Sequence, residues 1–183
     1  MPPPQDKADR RPAHSNQLGT KAYVDADEFR LAMRQIALPV AVITSRHGDA
    51  RTGMTATSIS SVSAAPPTML VCVNRSAGAD RIIAQSGAFA INMLADAHHP
   101  VARLFSAPVV DPAEAYAVSD WRDMVTGAPV LEGAVAVFDC CVESCFVSGS
   151  HAIYVGRVVG VASLPQDVLL YRDGLFRRLQ PIT

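Results

Sequence analysis

The order of predicted elements describes a mainly β protein with flanking helices, an antiparallel barrel edged by them. Three observations carry that expectation. Seven or so strand-like runs stand against only three helical stretches. Strands and helices do not alternate regularly, which disfavours a doubly wound parallel sheet. Glycine-bearing turns at His47-Gly48-Asp49 and Asp173-Gly174 join neighbouring strand-like runs into hairpins. At 183 residues the chain is long enough for one domain with a sizeable core.

Residues 1–22 are rich in proline and charge and poor in large apolar side chains, so they read as a flexible arm before a single domain over 23–183. Asp25-x-x-Glu28 reads as a capping box opening a helix with Phe29, Met33 and Ile36 on one face, stopped by Pro39. Val40–Thr44 is a strand, and the turn after it leads into a second strand from about Arg51. Met69–Val73 is apolar throughout and reads as a strand buried on both faces. Ser76 is placed to cap a helix running to about Gln85, with Gly87 as its stop. Phe89–Leu94 is a strand, Pro100–Phe105 a short helix, and Pro108–Asp120 an irregular excursion. Gly133–Val147 is long enough for one bent strand or two. In the valine-rich strand Ala152–Leu164, Gly156 and Gly160 mark bends or bulges. Val168–Tyr171 and Leu175–Leu179 form the closing hairpin.

Composition excludes several classes. Hydrophobic content of 49% and charged content of 18% belong to an ordinary globule. The formal net charge is −1 and no basic run is interleaved with aromatics, so nucleic acid is not an expected partner. No apolar stretch approaches a membrane span, and the N-terminal segment lacks the apolar core of a secretory signal, so a cytoplasmic protein is expected. Of the four cysteines, Cys140, Cys141 and Cys145 lack zinc-site spacing. On a strand, Cys140 and Cys141 point to opposite faces, so they read as small apolar groups, with no metal expected.

The chemistry-bearing stretch lies between the second and third strands. Six of the nine residues from Thr55 to Ser63 carry a hydroxyl: Thr55, Thr57, Ser58, Ser60, Ser61 and Ser63. Asn74-Arg75-Ser76 follows the next strand. A forked guanidinium, a hydroxyl and the free N–H groups of a helix start together suit a phosphate, with no glycine-rich loop required. Hydroxyl clusters also mark ordinary loops, so both readings stand at this point. His151 begins a strand after Gly149-Ser150, where an imidazole can orient a ligand or share a proton, or simply face solvent. His98 and His99 read as solvent-facing, and Asp139 and Glu143 as carboxylates with no common groove. No nucleophile elbow, Walker loop or H-E-x-x-H occurs. A cofactor that carries its own chemistry needs few catalytic side chains.

From about Asp27 to Leu179 the chain resembles the flavin reductase-like family, whose fold is the FMN-binding split barrel, an antiparallel split β-barrel. The resemblance rests on Gly53-Met54-Thr55-Ala56-Thr57-Ser58-Ile59-Ser60-Ser61-Val62-Ser63, Pro66-Pro67, Val71–Ser76 and Ser86–Leu94. Trp121, Gly127–Ala134, Gly149-Ser150-His151 and Tyr171-x-x-Gly174 follow in family order. It implies a homodimer holding FMN or FAD, with NADH or NADPH docking over the flavin ring. On that pattern Thr55, Ala56, Thr57 and Ser58 bind the isoalloxazine, and Ser61, Ser63, Asn74, Arg75 and Ser76 hold the ribityl chain and phosphate. His151 sits beside the nicotinamide as the catalytic residue, with Tyr171 and Gly174 at the same mouth. Ser150 stands where the family often has Asp, and Gly78 and Ala79 stand where Ser and Thr are common.

The function expected from this resemblance is an NAD(P)H:flavin oxidoreductase supplying reduced FMN or FAD to a partner monooxygenase. The alternatives are a protein of the same fold that keeps its flavin and reduces another acceptor such as a corrinoid, and a non-enzymatic FMN-binding electron carrier.

Overall fold

The computed structural model describes residues 23–107 and 111–182, so the expected arm over 1–22 lies outside the described residues. The chain divides into two units, Met1–Met33 and Arg34–Thr183. In the first, α1 spans Ala26–Met33. Asp25 opens it as expected: its carboxylate accepts the Asp27 N–H at 2.9 Å and its carbonyl accepts the Phe29 N–H. The helix stops short of Ile36 and Pro39.

In the second unit, Leu38–Pro39 form the strand β1 instead of a helix end. Proline disfavours the helical region for the residue before it, and pairing with a later strand takes up this segment. The strands β2 (Ala41–His47) and β3 (Ala50–Ala56) form the expected hairpin, with Gly48 at φ 57° in its turn. Then come β4 (Ile59–Ala64), β5 (Pro67–Asn74), the helix α2 (Gly78–Ser86) and β6 (Ala88–Met93). A 3-10 turn over Asp96–His98 leads into α3 (His99–Phe105). The expected irregular excursion contains a short helix, α4 (Pro112–Ala117), started by Pro112 and capped by the Asp111 carboxylate. The short strands β7 (Trp121–Asp123) and β8 (Pro129–Leu131) were not signalled by any turn motif. Gly133–Val147 resolves into one long strand, β9 (Ala136–Ser148), paired with β10 (His151–Ser163). The chain closes with β11 (Leu170–Arg172) and β12 (Leu175–Arg177).

Seven strands form one antiparallel sheet in the order β3-β2-β6-β9-β10-β5-β4. Its two edges, β3 and β4, are consecutive in the chain and separated only by Thr57 and Ser58. Two residues cannot span the width of a flat seven-stranded sheet, since strands lie about 4.8 Å apart. The sheet therefore curls into a barrel, split where β3 and β4 lack a ladder. Gly156 and Gly160 sit at the two register shifts between β9 and β10, as their sequence positions predict. A side chain at Gly156 would lie 2.7 Å from the Phe89 ring, so this glycine lets the strand close over the core.

β2 is buried on both faces. Ala41 and Ile43 join Val71, Val73, Phe89, Ile91, Tyr154 and the α2 residues Ala79 and Ile83 in one core. Val40 and Val42 join Leu94, Val101, Phe105, Tyr116 and Val130 in the other. The period of two along a strand thus divides one segment between two cores. Asn92 is fully buried and ties three strands together. Its amide donates to the Val42 carbonyl and Thr44 Oγ1, and its carbonyl accepts the Leu131 N–H at 2.8 Å. Among the described residues no helix is long and apolar enough to cross a membrane.

Candidate functional site

The end of β3 and the closing hairpin meet at a cavity of about 230 Å³ lined by Val40, Thr55, Ala56, Thr57, Ser106, Tyr171 and Phe176. On β3, Gly53 and Thr55 face α3. Thr55 Oγ1 donates to the Ala102 carbonyl at 2.7 Å, so this hydroxyl can offer a ligand only its lone pairs. A side chain at Gly53 would collide with the Phe105 ring, so the glycine admits α3 against the strand. The Thr57 and Ser58 hydroxyls make no hydrogen bond among the described residues.

Tyr171 enters from β11, which is fixed on two sides. β1 pairs Leu38 with Tyr171, and β12 pairs Phe176 with it. The two rings meet edge to face at 5.7 Å. The turn between them puts Asp173 at φ 50° and Gly174 at φ 79°, both in the left-handed region that a two-residue hairpin requires. Gly174 thus shapes the turn that presents Tyr171 and Phe176. Asp173 is anchored by Arg34, whose Nε donates to it at 2.9 Å.

A second group forms where β5 and β10 end. The ladder pairs Asn74 with His151, and the Arg75 N–H donates to the Ser150 carbonyl. The Asn74 carboxamide oxygen accepts from both the Ser76 N–H and Ser76 Oγ. Ser76 is therefore not the helix cap: Ala77 occupies that position, with no side-chain cap bond. The Asn74 turn captures the serine first, a local competition that such side chains often win. Arg75 is exposed and forms no ion pair among the described residues, so its fork is available to an anion. Ser150 Oγ lies 2.9 Å from His151 Nδ1. The serine thus holds the imidazole as an aspartate would, but without adding charge. This group adjoins the Thr55–Thr57 stretch through the Cys72 N–H, which donates to the Ser58 carbonyl two residues before Asn74.

The structure does not draw every predicted residue to one place. Ser61 lines a separate apolar groove of about 320 Å³ with Ile59, Met69, Met93 and Phe138. Ser63 Oγ accepts the Ala65 N–H. Asp139 is buried and latches the preceding loop through both the N–H and the hydroxyl of Thr126. Glu143 pairs with Arg157 on the sheet surface. His98 departs from its solvent-facing expectation. It is half-buried, its Nδ1 accepts the Ala95 N–H at 3.2 Å, and burial lowers its pKa despite the opposing pull of Asp96. Cys140 is buried and Cys141 exposed, as strand alternation requires, and burial pushes the Cys140 thiol up to about 12. Ser106 and Phe176 are lining residues that sequence reasoning missed. Phe176 was legible in the closing hairpin, where a two-residue turn at Asp173-Gly174 makes it the direct partner of Tyr171. No pattern marks Ser106, which reaches the cavity only because α3 docks against β3.

The residues fit a phosphorylated ring cofactor. At 230 Å³ the cavity is below the usual range of about 300–1,000 Å³ for ligand sites. It can take a ring system but not its tail, and unpaired donors lie along the neighbouring strand. Comparison with known proteins then decides the family. The model of the flavin reductase like domain matches residues 33–180. The chain belongs to the flavin reductase-like family. Its relatives include an FMN reductase (NADH), RutF 1, from Methylorubrum extorquens, 40% identical over 158 residues that cover 85% of this chain and 78% of the relative. RutF from Stutzerimonas stutzeri is 39% identical, covering 82% and 86%. Among solved flavin reductases, BorF is the reductase component of a bacterial two-component tryptophan halogenase. It superposes with a TM-score of 0.78 at 33% identity, covering 86% of this chain and all of BorF. The NADH:FAD oxidoreductase SgcE6 from Streptomyces globisporus, solved with NAD and FAD fragments, gives 0.79 at 31% identity, covering 88% and 98%. The matched span coincides with the second unit of the structure, which carries every residue of the family site described above.

Proposed function

We propose that this protein oxidises NADH or NADPH with FMN or FAD as hydride acceptor and passes the reduced flavin to a separate oxygenase. The observation that carries the reading is the hydroxyl- and aromatic-lined cavity at Thr55–Thr57, Tyr171 and Phe176, in a chain whose relatives are NADH-dependent flavin reductases. A flavin supplies the hydride-accepting ring. The protein's part is to hold and orient it. Backbone groups and hydroxyls at Thr55, Ala56, Thr57 and Ser58 meet the ring edge, with Thr55 accepting only. Asn74, Arg75 and Ser76 take the phosphate end. Tyr171, set by the Gly174 turn, walls off water beside Phe176. His151, held by Ser150, orients the nicotinamide.

The modest cavity, and Gly78 and Ala79 standing where hydroxyl residues would add phosphate contacts, support loose, exchangeable flavin. The reading includes a cytoplasmic homodimer. The exposed apolar residues Phe146, Val147, Val159 and Val161 of the β9–β10 hairpin, with Val62 on β4, are apolar area for a second copy to cover.

The test is nicotinamide oxidation by purified protein with FMN or FAD in excess. Turnover that saturates with free flavin is the expected result. Flavin that co-purifies in stoichiometric amount, with no stimulation by added flavin, would reject release in favour of an enzyme with a dedicated acceptor. Bound flavin with no nicotinamide oxidation would leave only a carrier.

A further inference from the structure

We propose that Tyr154 is a positioning residue for the flavin phosphate: its phenol turns the Asp80 carboxylate away from the phosphate-binding start of α2. The proposal rests on the flavin reductase reading and names what makes that site compatible with an anion. Tyr154 is buried on β10, where Val71 and Cys145 are its ladder partners. It stands three residues after the exposed His151 and so on the opposite face of the strand, in the core it shares with Ala79 and Ile83 of α2. Its hydroxyl donates to Asp80 Oδ1 at 2.7 Å, with the Asp80 carbonyl oxygen 3.1 Å away. Burial and this bond push the tyrosine pKa upward, so the phenol keeps the proton it donates.

Asp80 matters because of where it stands. It is the acidic residue in the first turn of α2, about 3 Å along the helix axis from Gly78 at a rise of about 1.5 Å per residue. Asn74, Arg75 and Ser76 come immediately before that turn and are tied to it through the backbone. The Ala77 N–H donates to the Asn74 carbonyl, and the Asp80 N–H donates to the Ala77 carbonyl. An acid in the first turn favours the helix dipole. The same charge repels a bound phosphate, which carries up to about two negative charges. Arg75 is the one cation from Asn74 to Asp80, and neither Gly78 nor Ala79 adds a hydroxyl donor. Arg81 follows Asp80, but adjacent helix residues do not face each other, and it is exposed. Among the described residues Asp80 has no ion pair, and Tyr154 is the one side chain that bonds its carboxylate. A carboxylate bonded to a buried phenol is directed toward the core, whereas Arg75 and Ser76 are exposed. The bond thus keeps the acid that helps the helix from opposing the ligand.

The test is the affinity for FMN and for riboflavin, measured on full-length wild type, Tyr154→Phe, Asp80→Asn and the double variant, with urea midpoints as the check on folding. Arg75→Ala is measured beside them. Tyr154→Phe keeps the ring in the core but frees the carboxylate. FMN should then weaken about fivefold or more, while riboflavin, which has no phosphate, binds as in wild type. Asp80→Asn keeps an oxygen to accept the phenol and carries no charge, so FMN should bind at least as tightly as in wild type. In the double variant FMN affinity should return to within about twofold of wild type, because no charge is left to turn aside. A tyrosine that only packs the core would instead lower the urea midpoint and weaken both flavins alike, with no rescue by Asp80→Asn. That pattern overturns the proposal, and so does unchanged FMN affinity in Tyr154→Phe. Failure of the underlying reading has a different signature. If Arg75→Ala weakens both flavins equally, the phosphate lies elsewhere and the role of Tyr154 is rejected with it. If wild type and variants follow the expected pattern but no variant or wild type oxidises NADH or NADPH, the reductase reading fails and the Tyr154 role stands.

Discussion

Arg75 and His151 sit side by side where β5 and β10 end, yet their proposed work is different, and substitution separates them. Arg75 is exposed and unpaired among the described residues, so removing it leaves no buried partner stranded. A charge-assisted contact is worth about 1.5–3 kcal/mol. Arg75→Ala should therefore weaken FMN roughly 10- to 100-fold while riboflavin, which lacks the phosphate, binds as before. Equal weakening of both would show that the guanidinium does not meet the phosphate. His151→Ala should slow flavin reduction in stopped-flow traces with little change in flavin affinity. An unchanged reduction rate would remove the imidazole from the site. Ser150 makes the further point that one residue can hold another without charging it: its hydroxyl fixes the ring by the bond to Nδ1.

The barrel depends on two glycines that the pattern of the β10 segment marked in advance. Gly156 faces the Phe89 ring and the Cys140 side chain at 2.7 and 3.0 Å from where a Cβ would stand. Both neighbours are fully buried and cannot swing away. Gly156→Ala should cost about 1–3 kcal/mol, the range for overpacking a filled core, read as a lower urea midpoint with unchanged slope. A midpoint within error of wild type would mean that the β9–β10 bulge absorbs the methyl group. Other elements were less legible. The β2–β3 and β11–β12 hairpins could be read because turn chemistry is local: Gly48 and Asp173-Gly174 declare their geometry in one or two residues. α4 and the β7–β8 pair could not. Each is short, and each is held by distant partners. Tyr116 donates to the Thr52 carbonyl, and Leu131 donates to Asn92. Ser76 misled because its hydroxyl donates to the Asn74 carboxamide oxygen instead of accepting from the helix start.

Across the whole molecule, stability should fall on both sides of a neutral plateau. His98 has a folded pKa below its ordinary 6.5. As pH falls through that value the unfolded chain takes up a proton that the folded chain resists, and stability drops. Cys140 keeps its proton to about 12 when folded but loses it near 9 when unfolded, so stability also drops as pH rises above 9. The buried hydroxyls of Tyr116 and Tyr154, both shifted upward, steepen that limb. Urea midpoints measured across pH should show both limbs, and Cys140→Ala should flatten the alkaline one. An alkaline limb equally steep in that variant would place its cause in the tyrosines alone.

By itself the sequence determined the β character, the hairpins, the bulge glycines and the stretch that carries the hydroxyls, because each follows from a period or a turn readable within about ten residues. Eight ordered motifs over most of the chain were also enough to mark the family, since their residue types need no coordinates to compare. Only the tertiary structure decided which hydroxyls are free. Thr55 is committed to Ala102, 47 residues away, while Thr57 is not. It also decided that Ser61 faces a different groove from Thr57. The reason is physical. Hydrogen-bond partners and cavity walls are set where distant strands and helices close on one another, and no local pattern in the chain encodes that meeting.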